Sequence, residues 1–153
     1  MSITTTDYQD LITDFFIIME NAQSIAHVSL SSDKWTLSEM VGHLLDSASN
    51  NHQRFIRLQL DTNLSFPAYD AEDWKRVSKA GNYDYFALIE FWKQYNLFLL
   101  HIISHIDAKV LSNYWQHGNE QETLQFLVED YFRHMKWHVA LFNERVAEIN
   151  QNK

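Results

Sequence analysis

Only three glycines and one proline punctuate the 153 residues of this chain. A protein of many short strands needs more of both, because glycine supplies positive φ and proline presets turn geometry. The shortage points to a few long elements. Apolar residues recur at three- and four-residue steps, the period of a helix buried along one face. No segment alternates with the two-residue period of a strand, and there is no internal repeat or low-complexity stretch.

Four such segments follow one another. The first helix is expected from about Asp7 to about His27, on a stripe of Leu11, Phe15, Ile18, Ala22 and Ile25, with Thr5, Thr6 and Asp7 as candidate caps. The second opens on a capping box, Thr36 with Glu39 three residues on, and Trp35 placed to staple onto the first turns. It continues through Leu37, Met40, Val41, Leu44, Ala48 and Phe55 to about Leu60. A long connection from about Asp61 to about Asn82 holds the only proline, Pro67, and a short helix is expected in it around Ala71 to Ser78. The third helix, Tyr83 to about Ile106, shows a stripe of Leu88, Phe91, Tyr95, Phe98 and Ile102. After a second connection, in which Gly118 is a turn residue, the last helix is expected from about Glu122 to about Asn150. Its stripe is Leu124, Leu127/Val128, Tyr131, Met135, His138, Phe142, Val146 and Ile149. The expected fold is all-α: a four-helix bundle with a long connection between helices 2 and 3, occupying residues 1–153 as a single domain.

Composition narrows the function. Hydrophobic residues make up 46%, and a chain of this length buries roughly 70% of its unfolded surface. Cysteine is absent, so disulfides, thiolate ligands and a cysteine nucleophile are excluded, and any metal must be held by His, Asp or Glu. A formal charge of -8 argues against nucleic acid, whose phosphates select basic surfaces. The polar start, MSITTTDYQD, shows no signal peptide, and the longest apolar runs, such as Phe15 to Met19, fall far short of a membrane span. A cytoplasmic protein is expected.

Chemistry is concentrated in histidine. His134 and His138 lie four residues apart on the last helix, one turn from each other on one face, close enough to share an ion. His43 on the second helix is placed to supply a third nitrogen from a facing helix. Asp130 precedes His134 by one turn and Asp46 follows His43 by one, so both are candidates for orienting an imidazole or moving a proton. Met40, His43, Ser47, Asn50 and Arg54 form a polar line beside the apolar stripe, and Gly42 suits a close approach of another element or a ligand. Arg54 meets an anionic substrate if the pocket extends that far; a surface ion pair is the expected alternative. Spacing alone does not make a site: His101 and His105 repeat it, and read as polar positions near a bundle end, while His27, His52 and His117 read as surface or connection residues without a role. No His-Glu-x-x-His motif, glycine-rich phosphate loop, Gly-x-Ser-x-Gly elbow or di-iron Glu-x-x-His pair occurs.

Taken together, Lys34-Trp35-Thr36-Leu37-Ser38-Glu39, then His43-Leu44-Leu45-Asp46, Asn50 and Arg54, and finally His134-x-x-x-His138, resemble the signatures of the DinB-like (YfiT-like) metalloprotein superfamily. The likeness extends over chain length, helix number, the long connection and the order of the histidines. It implies a four-helix bundle, frequent homodimers, and one divalent metal, nickel or zinc, on the equivalents of His43, His134 and His138. It implies small-molecule chemistry, either hydrolysis or S-transfer with a low-molecular-weight thiol cosubstrate. Three neutral imidazoles leave an ion's charge intact and a coordination position open, which suits either an acidified water or a thiolate. Tyr131 and the aromatic connection from Phe66 to Trp74 are candidate pocket walls, equally explained by core packing. The alternative is a non-catalytic bundle, metal-stabilised or metal-free, acting as a dimerisation or binding module.

Overall fold

The computed structural model describes residues 5–153. Residues 1–4, part of the polar start in which no signal peptide is expected, lie outside the described residues. The four long helices are α1 (Thr6–Asn21), α2 (Leu37–Leu60), α4 (Tyr85–Ser104) and α5 (Leu124–Gln151), with a short α3 (Ala71–Ser78) in the long connection. The bundle expected from periodicity is present, and α3 has the bounds expected of it.

Local chemistry explains where the helices begin. Thr36 Oγ1 accepts the Glu39 N–H at 3.1 Å while the Glu39 carboxylate accepts the Thr36 N–H at 3.0 Å, the reciprocal capping box that opens α2. Asp84 caps α4 through the Ala87 N–H, and Thr123 caps α5 through the Phe126 N–H. At α1, the expected cap Thr5 has helical backbone angles and makes no side-chain cap. The first helix ends at Asn21, and a 3₁₀ turn (Gln23–Ile25) carries the chain on towards His27.

Helix α2 packs against α4 and α5, and α1 packs against the same two, so the consecutive helices α1 and α2 stand diagonally across the bundle. The diagonal step is made by residues 22–36 between α1 and α2, whereas the long connection joins α2 to α4, which pack side by side; this is the order of the bundle. Its consequence for function is that α2 and α5, the two helices bearing the candidate ligands, are adjacent. The connection is tied down where a 3₁₀ turn (Ala80–Asn82) sits on α2. A Cβ at Gly42 would lie 2.7 Å from the Ala80 Cβ, so only glycine permits that approach.

Two expectations need correction. Three short strands occur in the connections: β1 (Asn63–Ser65), β2 (Tyr114–His117) and β3 (Glu120–Thr123). β1 and β2 run parallel with Leu64 opposite Trp115; β2 and β3 form an antiparallel hairpin turned at Gly118, which has φ +60°. At three or four residues each, they are too short to display an alternating pattern. The second correction concerns α4. Its buried face is Tyr85, Leu88, Ile89, Trp92, Asn96, Leu99, Leu100 and Ile103, whereas Phe91 and Phe98 of the expected stripe are exposed. Both faces of this helix are apolar, so periodicity does not choose between them. The last-helix stripe holds, with Leu124, Leu127, Val128, Tyr131, Met135, Phe142 and Ile149 buried.

Candidate functional site

The side chains of α2 and α5 converge at three histidines. The His43 and His138 rings have centroids 5.1 Å apart, and His134 and His138 are 6.0 Å apart. His43 and His138 are partly buried and His134 is exposed. All three line a cavity of about 460 Å³ walled by Trp35, Met40, Trp137 and Leu141. Trp35 stands edge-on to His43 at 5.6 Å, and Tyr69 from the connection approaches the same ring at 6.4 Å. Trp74 packs on Tyr69; Phe66, Tyr69 and Trp74 do not line the larger cavity, and Tyr69 lines a smaller one beside it.

The electrostatics favour neutral imidazoles. Burial, and then the nearby His134, hold the His43 pKa down. Burial, followed by His43 and His134, pushes His138 down to about 4. Neutral imidazole is the ligating form. His43 Nδ1 is buried with no hydrogen-bond partner, and a buried unpaired polar atom calls for an explanation. The fit to a metal can be judged from the rings. Imidazole nitrogens about 2.0–2.1 Å from an ion at tetrahedral angles place ring centres about 5 Å apart. The His43–His138 separation matches this and the His134–His138 separation is wider. Among the described residues, no group of three His, Cys, Asp or Glu stands close enough to hold an ion as it is. His134 is the exposed member of the three. The donor set fits a divalent transition metal.

Neither candidate carboxylate touches an imidazole. Asp130 accepts from Arg133 Nη1 at 2.6 Å. Asp46 is half-buried, and that burial pushes its pKa up to about 6 from an ordinary value of 3.8. Between those values the folded state holds a proton that the unfolded chain does not, so stability is lost as pH rises from 3.8 to 6. Asp46→Asn is therefore expected to stabilise the metal-free protein by about 1 kcal/mol at pH 7.5, after discounting for partial exposure. The gain should vanish below pH 4. Urea denaturation at both pH values checks this; an equal effect at both would mean that ionisation is not the cause.

Arg54 departs from the sequence expectation. It forms no surface ion pair: it is 9% exposed, its guanidinium lies 4.0 Å over the Trp115 ring, and its Nε is buried without a partner. Burial also presses its pKa down. It lines a second cavity, of about 190 Å³, in which Tyr131 and Asp130 also stand and which shares His134 with the first. Tyr131 donates to Asn96 Oδ1 at 2.5 Å within the core. Of the remaining histidines, His101 and His105 are exposed at the end of α4, as expected. His52 Nδ1 contacts the Tyr95 hydroxyl at 2.7 Å, and His117 stacks on Trp115. Trp35, as a wall, and Trp137 are site residues that the sequence reading missed: Trp35 reads as a staple, and Trp137 lies off the apolar stripe.

No family model matches the sequence, and no curated protein does. Among solved structures, the chain is similar to YfiT from Bacillus subtilis, described as a probable metal-dependent hydrolase with an unusual four-helix bundle topology. The two share 18% identity with a TM-score of 0.79, over 97% of this chain and 91% of that one. No helix among the described residues is long and apolar enough to cross a membrane. The likeness bears out the resemblance in sequence at the level of fold: the chain folds as a YfiT-like four-helix bundle.

Proposed function

We propose that this protein is a divalent-metal-dependent enzyme acting on a small molecule, with His43, His134 and His138 as the ligands and hydrolysis or thiol-dependent S-transfer as the reaction. The observation that carries the reading is the convergence of three imidazoles at one cavity, one with a buried ring nitrogen lacking any partner. The fold likeness to a probable metal-dependent hydrolase supports it. When bound, zinc or nickel supplies Lewis acidity sufficient to deprotonate a water or a thiol at neutral pH.

The protein's own groups do the rest. Burial keeps His43 and His138 neutral and available. Trp35, Trp137, Met40 and Leu141 offer an apolar wall. Asp46, raised to about 6 by burial, is the candidate proton carrier although it lines neither cavity, and Asp130 stands by the exposed ligand His134. A cytoplasmic location and a homodimeric state complete the proposal, the latter supported by the exposed aromatic face of α4 at Phe91 and Phe98. That same face favours the second reading, a non-catalytic association module.

Elemental analysis of untagged wild type beside His134→Ala separates the two. The enzyme reading expects about one equivalent of transition metal per chain in the wild type and a loss in the variant. No metal in either, even after reconstitution with zinc and nickel, would leave the association module.

A further inference from the structure

We infer that the small cavity beside His134 is a carboxylate-binding subsite, with Arg54 as its binding residue, so that the substrate carries a carboxylate within reach of the histidines. The inference rests on the reading of the histidines as the reacting centre, but the subsite is argued from its own residues.

Arg54 is a cation nine-tenths buried, without a hydrogen bond at Nε and without a carboxylate at ion-pair distance among the described residues. A buried charge without a partner is costly and is retained where something else compensates it. Within the protein the compensation is incomplete. One face of the guanidinium is covered by Trp115, 4.0 Å away, and Trp115 is itself fixed by its indole N–H donating to the Phe66 carbonyl at 2.8 Å. Asp130 is engaged by Arg133 at 2.6 Å, and Glu122, whose charge reaches Arg54, stands 3.2 Å from His117 Nε2 and not within ion-pair distance of the guanidinium. What Arg54 faces is the cavity of about 190 Å³, which also holds Ser47 and the Tyr69 side chain and reaches His134.

The chemistry of the walls selects the ligand. A stacked, planar guanidinium presents its edge as a fork that matches a carboxylate bidentately. Glu122 and Asp130 on the same walls oppose a dianion, so a monoanionic carboxylate fits better than a phosphate. His134 lines both this cavity and the larger aromatic one. A molecule anchored by its carboxylate on Arg54 therefore extends past the histidines towards Trp35 and Trp137.

The test uses the full-length, metal-free protein and acetate as the probe, with the Trp115 indole N–H resonance as reporter, assigned by a Trp115→Phe spectrum. Acetate should shift that resonance saturably in the wild type. Arg54→Met should weaken the binding at least tenfold while melting no lower than wild type, because the buried charge goes with the side chain. Arg54→Lys, which keeps the charge without the fork, should also bind more weakly than wild type. Because the protein is metal-free throughout, a failure of the metal reading leaves this result standing. The subsite is overturned by any of four outcomes: no saturable shift in the wild type, unchanged binding in Arg54→Met, an Arg54→Met protein that melts below wild type or fails to fold, or tighter binding of inorganic phosphate than of acetate.

Discussion

Zinc added to the metal-free protein at about a thousandfold excess over its Kd should stabilise the fold by about 4 kcal/mol. In a chain of this size each kcal/mol moves Tm by about 2–4 °C, so a rise of about 8–16 °C is expected. His138→Ala should abolish the rise. The site lies between α2 and α5, with His43 on one helix and His134 and His138 on the other. An ion shared by those side chains links the two helices, and the unfolded chain offers no preformed counterpart. His138 is the most informative position because it stands nearest both other rings, 5.1 Å from His43 and 6.0 Å from His134. Without zinc, the alanine variant should melt close to wild type, since the deleted imidazole makes no hydrogen bond among the described residues. Differential scanning calorimetry with and without zinc, on both proteins, reads the effect. A rise of equal size in the variant would place the ion elsewhere. A variant that melts far below wild type without metal would make His138 a packing residue.

The features readable from sequence were those set by neighbours along the chain. Thr36 and Glu39 cap α2 with residues three apart, and the α5 stripe from Leu124 to Ile149 keeps one period because its opposite face is charged. Features set by distant partners were not readable. Arg54 reads as a surface charge until Trp115, delivered by β2, covers it. β2 itself exists because β1 and β3 flank it, and four residues carry too little pattern to announce a strand. The histidines were legible as a pair on α5. Their meeting with His43 depends on α5 lying beside α2, which the diagonal placement of α1 and α2 produces. His134 and His138 thus differ from His101 and His105 by location: the second pair shares the spacing but stands exposed at a helix end.

The largest stability effect is expected at Trp92, and its chain neighbour Phe91 supplies the control. Trp92 is fully buried and Phe91 is 58% exposed, although periodicity alone points to Phe91 as the core residue. Trp92 meets Phe15 of α1 edge-on at 5.2 Å, and Phe15 meets Phe142 of α5 in the same manner at 5.6 Å. The three rings join α4, α1 and α5 across the bundle, and Phe142 lies one turn beyond His138. Trp92→Ala should therefore cost about 3–5 kcal/mol, the range for deleting a large buried aromatic. The lower part of that range is expected, because the indole N–H is buried without a partner and its loss relieves a desolvation penalty of about 1–3 kcal/mol. Against a typical total of about 5–15 kcal/mol, this brings the fold close to its limit, with a fall in Tm of about 10 °C. Phe91→Ala should stay within about 0.5 kcal/mol, the usual scale at an exposed position. Urea denaturation of both variants at low protein concentration gives the comparison. A larger loss at Phe91 than at Trp92 would mean that α4 presents the other face to the core. A Phe91→Ala loss that grows with protein concentration would show instead that this face is covered by a second copy of the chain, in agreement with the proposed homodimer.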